Sequence, residues 1–180
     1  MKTKAEIMPF LSFEPALSSI SNFSQRYRDT LIEIVSCLFI ILFIYAGLTK
    51  LIDGHKFYDN INNSPILGGI IIASIASWAI PMAELIAAFL IAWPKSRLKG
   101  MYAALGLLAI FTAYITGILF FSPYIPCSCG GIIALLSWEQ HLIFNIGCLI
   151  MSIIGIVLLQ IKFKETNKME NTNLPKYQLE

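Results

Sequence analysis

Hydrophobic positions in this chain come in long, nearly unbroken runs. Four stretches, 31–51, 66–93, 98–121 and 141–161, carry almost no charge, and polar residues collect between and beyond them. A helix rises about 1.5 Å per residue, so about 20 apolar residues cross the hydrocarbon core of a bilayer. Each run therefore predicts one membrane-spanning helix. The expected fold is all-α: a polytopic membrane protein built as a four-transmembrane-helix bundle. The second run is longer than a bilayer needs. It is expected to tilt, to bend at Pro81 or to start outside the hydrocarbon.

The flanks differ from the runs. Residues 1–29 read as an N-terminal arm. Phe13, Leu17, Ile20 and Phe23 fall roughly on one helical face, with serines on much of the other. That pattern fits a short helix on the membrane surface or, equally, a loosely ordered arm. A cleavable leader is not expected, because the polar region is too long and the following run has spanning length without a small-residue cleavage pattern. Residues 30–162 make the transmembrane domain. Residues 163–180 are rich in Lys, Asn and Glu and are expected to be a disordered tail.

Composition strengthens the membrane reading. Hydrophobic residues make up 57% of the 180-residue chain and charged residues 13%, the latter about half of the ~25% usual in soluble domains. The net charge of +2 follows from topology and implies no nucleic-acid partner; the partner implied is the lipid bilayer. Lys and Arg set the orientation. The arm has Lys2, Lys4, Arg26 and Arg28, the second link has Lys95, Arg97 and Lys99, and the tail has Lys162, Lys164, Lys168 and Lys176. The first link has only Lys50 and Lys56, offset by Asp53 and Asp59, and the loop between the third and fourth runs has neither Lys nor Arg. Both termini are therefore expected to be cytoplasmic. The last loop is expected on the extracytoplasmic side of a plasma (inner) membrane, which is periplasmic in an envelope with two membranes.

That loop holds Pro126-Cys127-Ser128-Cys129-Gly130-Gly131. In an oxidising compartment thiols pair or exchange. A Cys-x-Cys disulfide closes a very small ring, and strained disulfides are more easily reduced, which suits exchange better than stapling. Pro126 fixes the approach and the two glycines allow a sharp turn. Two other readings stay open: cysteines idle or permanently paired, and a soft-metal site for copper(I) or zinc. The metal reading lacks a ligand set, since His141 is the nearest imidazole. Cys37 and Cys148 lie inside spans and read as small packing residues.

Glu84 is the other candidate. It lies well inside the second span, three residues after Pro81. Ionisable groups at such depth are costly and mark functional sites. Lys50 is its best candidate partner, with Tyr45, Ser77 or Tyr114 as alternatives. The role is either a polar clasp between helices or proton handling. His141, beside Trp138 and Glu139 at the mouth of the fourth span, can lower a neighbouring thiol's pKa or shuttle a proton, or can simply sit at the interface. Ala109, Ala113 and Gly117 in the third span, and Cys148, Ser152 and Gly155 in the fourth, predict close helix contacts.

With these residues in view the sequence resembles the MauE/DoxX family of redox-associated membrane proteins. The carriers are Tyr45-Ala46-Gly47-Leu48-Thr49-Lys50-Leu51, Pro81-Met82-Ala83-Glu84 and Cys127-Ser128-Cys129-Gly130-Gly131. The resemblance covers most of residues 31–161, and the Cys motif points to the MauE side. It implies a four-helix membrane protein associated with maturation of a disulfide-rich periplasmic partner, or linked to quinone or thiol oxidation. The function expected is a thiol–disulfide relay component. Cys127 and Cys129 would exchange with an extracytoplasmic thiol protein, with Glu84 and His141 in support and a membrane quinone as candidate cofactor. The alternative is a non-catalytic subunit or assembly factor of a larger envelope complex.

Overall fold

The computed structural model describes residues 14–66, 68–121 and 137–173. Among them are five helices and no strand: α1 (Glu14–Ile52), α2 (Gly54–Asn62), α3 (Ile70–Ala92), α4 (Arg97–Phe121) and α5 (Trp138–Asn173). All but α2 are long and apolar enough to span a membrane, over Gln25–Ile52, Ile70–Ala92, Arg97–Phe120 and Glu139–Lys168. They run up and down in chain order. Large apolar side chains such as Ile41, Ile75, Phe89, Ile110 and Ile143 face outward, as lipid-facing positions must.

One end of the bundle is closed by the tight α3–α4 turn. Ser96 Oγ donates to the Leu90 carbonyl at 2.9 Å and Arg97 Nε to the Ile91 carbonyl at 3.3 Å, so the last carbonyls of α3 are satisfied. Arg97 also reaches Glu33 of α1 at 2.6 Å. α1 and α5 are joined there by a two-pronged Arg28–Glu165 pair at 2.9 and 2.7 Å and by Lys162–Asp29 at 2.9 Å. Residues 163–173, read from composition as tail, continue α5 as helix, and the arm from Glu14 onward is the first part of α1. Above these ion pairs lies an apolar core that includes Ile32, Val35, Phe39, Ile91, Met101 and Ala104. Small residues bring the backbones together in it. A Cβ on Gly100 would lie 2.6 Å from the Ile91 backbone nitrogen, and one on Gly155 3.3 Å from Val35. Cys148 and Ser152 share the buried face of α5 as expected. Ala109 and Ala113 do not: they are exposed, and α4 buries Met101, Ala104, Leu108, Ile115 and Ile118 instead. Two faces of α4 carry small side chains, and only its contacts with α3 and α5 decide which turns inward.

The opposite end has a different build. α1 stops beside the middle of α3, where Gly47 meets Leu85 and the Pro81 carbonyl. The chain bends at Asp53 while hydrogen bonds from the Asp53 and Phe57 amides, to the Thr49 and Asp53 carbonyls, carry the ladder across the bend. α2 then lays Phe57 and Ile61 on Ala73 of α3, beside Ala76 and Ile80. A helix broken in this way fills the first half of α3's neighbourhood with a second, reoriented piece. The hydrophobic runs alone did not separate α2 from its polar connection.

Candidate functional site

Glu84 sits on the buried face of α3 with only 1% of its side chain exposed. Its Oε1 accepts a hydrogen bond from Lys50 Nζ at 2.6 Å. Sequence counting leaves a depth gap between the two, and the early end of α1 closes it: Lys50 stands in the last turn of a helix that stops beside Pro81 and Leu85. Two of the alternative partners make other bonds. Ser77 Oγ donates to the Ser74 carbonyl and Tyr114 Oη to Ser64 Oγ.

The ammonium of Lys50 has further support. It also lies 3.4 Å from the Ala46 carbonyl, and the rings of Phe57 and Phe111 stand 5.8 and 5.4 Å from it. Aromatic faces attract a cation at such range, more strongly away from water. The carboxylate is less well served. Glu84 Oε2 is buried and has no hydrogen-bond partner among the described residues. An acceptor left in this way costs about 1–3 kcal/mol, and more when charged, so the site is built around an unfilled demand for a donor.

Glu84 also lines a cavity of about 180 Å³ between all five helices. Its walls are chiefly apolar, and its polar groups are Thr49 and Lys50 of α1, Asn60 of α2, Glu84, Tyr114 of α4, and His141 and Asn145 of α5. The start of α5 explains how His141 comes here. Ser137 and Gln140 form a reciprocal cap, with Gln140 N donating to Ser137 Oγ at 3.3 Å and Ser137 N to Gln140 Oε1 at 3.0 Å. The capped first turn turns His141 and, four residues on, Asn145 into the bundle. Asn145 escaped the sequence reading. Its signal is spacing: a polar residue four positions after His141 shares its helical face.

Of the sequence candidates, Glu84 and His141 therefore line one cavity. Cys127 and Cys129 lie outside the described residues. Cys37 is exposed on the lipid-facing surface and Cys148 is buried; both are free thiols. Among the described residues no three His, Cys, Asp or Glu side chains gather to hold a metal ion.

Residues 28–158 match the family model described as Methylamine utilisation protein MauE. No curated protein and no solved structure matches the chain.

Proposed function

The chain belongs to the MauE family, and from that premise we propose that it is the membrane component of a thiol–disulfide relay. Its Cys127–Cys129 loop faces the extracytoplasmic side and both termini face the cytoplasm. The exchange runs in two steps. A loop thiolate attacks a disulfide of a partner protein, forming a mixed disulfide and releasing one partner thiolate. The second loop cysteine then attacks the mixed disulfide, freeing the partner as a dithiol and leaving the loop oxidised. Two electrons have moved from loop to partner, and the reverse sequence oxidises a partner dithiol. A second thiol protein or a membrane quinone closes the cycle by resetting the loop.

One observation carries this reading. The loop joins the end of α4 to the start of α5, and the first turn of α5 brings His141 into the cavity that holds Lys50 and Glu84. His141 thus stands near the end at which the Cys segment enters α5, and it opens onto the same cavity as Lys50 and Glu84, which lie deeper in the bundle. The test is trapping. Cys127→Ser and Cys129→Ser single variants, expressed in whole cells, are expected to accumulate a reductant-sensitive conjugate with an extracytoplasmic protein, and the double variant none. A double variant that sustains the full cellular role would end the proposal.

A second reading has support of its own. α5 extends to Asn173 and is tied to α1 by Arg28–Glu165 and Asp29–Lys162, at the end away from the loop. That helical pair suits a docking surface for another subunit, with the chain as a non-catalytic assembly factor. A stoichiometric partner that stays bound without the loop thiols, and leaves when residues 163–180 are removed, would favour it.

A further inference from the structure

We infer that the seam between α4 and α5, at the closed end of the bundle, is a binding site for an anionic phospholipid. Lys99 and Lys164 hold its phosphate and one acyl chain lies along α4. The headgroup follows from charge. Three acids of this end are already taken: Glu165 by Arg28, Asp29 by Lys162 and Glu33 by Arg97. Lys99 of α4 and Lys164 of α5 are exposed and have no ion-pair partner among the described residues. A hydrogen bond ties their two helices together: Gln160 Nε2 donates to Tyr102 Oη at 2.6 Å, at an exposed position. Lys99 stands three residues before Tyr102 and Lys164 four after Gln160, so both lysines flank this bridge. Tyr102 Oη accepts from Gln160 and keeps its own proton to donate. Two unpaired ammoniums and a hydroxyl proton suit a phosphate that carries net negative charge.

The tail follows from side-chain size. Gly106, Ala109 and Ala113 continue the face of Tyr102 along α4, and all three are exposed. A Cβ on Gly106 would meet nothing within 4 Å. Val157 and Ile153, three and seven residues before Gln160, stand exposed on the adjoining side of α5. The small residues thus leave a shallow trough running from the lysines into the bilayer. From Tyr102 to Ala113 the helix rises about 16 Å, about half of the ~30 Å hydrocarbon core and so the reach of one acyl chain. A helix of another chain seated in this trough would have to bring its own anion to the lysines, whereas a phospholipid brings headgroup and tail together. The site requires neither the thiol chemistry proposed above nor either orientation of the chain in the membrane.

The test uses the full chain in detergent micelles, titrated with phosphatidylglycerol or with phosphatidylcholine of the same acyl chains and read by native mass spectrometry. Phosphatidylglycerol is expected to be retained about tenfold or more tightly, the effect of two surface cations on a net anionic headgroup. The Lys99→Gln, Lys164→Gln double variant changes exposed, unpaired side chains and is expected to lose that preference. Lys56→Gln, which changes an exposed lysine elsewhere on the chain, is expected to keep it. Gly106→Leu sends its side chain into the trough with the lysines intact and is expected to weaken phosphatidylglycerol retention about tenfold. Inorganic phosphate in excess is expected not to displace the lipid, because it lacks the tail. Equal retention of the two lipids, an unchanged preference in the double variant, an equal loss in Lys56→Gln, unchanged retention in Gly106→Leu, or displacement by inorganic phosphate would each overturn the proposal.

Discussion

The two halves of the bundle solve the same problem in opposite ways. Where α3 turns into α4 the interior is solid. Phe39, Ile91 and Met101 are fully buried, glycine brings α4 onto α3, and charges meet at the margin as Arg28–Glu165, Lys162–Asp29 and Arg97–Glu33. Where α4 leads through the Cys loop to α5, the interior holds a cavity. Its ion pair is buried, and α1 has been broken to make room for α2. The closed half keeps charge at the rim, where it costs little. The open half keeps an ion pair inside, where it is expensive. Stability alone does not ask for the second arrangement, since buried ion pairs replaced by apolar side chains often leave a protein as stable or more so. The open half is built for something other than holding the helices together.

The largest expected effect comes from breaking the internal pair on one side. Glu84→Ala strands the Lys50 ammonium in the bundle and should cost about 3–5 kcal/mol, the range for an orphaned buried charge. Equilibrium unfolding in mixed detergent micelles reads it. The Lys50→Met, Glu84→Leu double variant should recover most of that loss. A double variant as unstable as the single one would mean that the pair holds the fold, and the contrast between the halves would fail.

The closed half responds to volume instead. Gly100→Ala puts a Cβ against the backbone of Leu90 and Ile91, atoms that cannot swing aside, and should cost about 1–3 kcal/mol in the same unfolding assay. Its counterpart on α5, Gly147, has nothing within 4 Å of an added Cβ. Gly147→Ala should therefore stay within about 0.5 kcal/mol of the parent. Between them stands the rim. Arg28→Ala removes a two-pronged pair whose Glu165 side chain is 42% exposed; such pairs contribute at most about 1 kcal/mol. A larger loss, insensitive to salt, would show the rim to be part of the core.

Much of this was legible in the sequence, and the exceptions have physical causes. The four spans follow from apolar run length, because lipid leaves the backbone few other choices. The Lys50–Glu84 pair was legible as chemistry and not as geometry. Charge in a span demands a partner, but residue counting assumes that helices run straight from face to face, and α1 does not. α2 was hidden because a short helix with polar Asp59 and Asn62 reads as a loop until Phe57 and Ile61 find α3. The small-residue stripe of Ala109 and Ala113 misled because small side chains permit close packing without requiring it. Asn145 was missed because a single amide within an apolar run draws little notice unless paired with His141 one turn before.

The most direct test of the relay is the redox state of Cys127 and Cys129 in intact membranes. An impermeant thiol label, applied before and after mild reductant, with mass readout of the loop peptide, reports both sidedness and chemistry. A pair that is protected when oxidised, labelled from the extracytoplasmic side when reduced, and reversible over a physiological range of potential is the result expected. Two permanently free thiols, or a disulfide that mild reductant does not open, would contradict the relay.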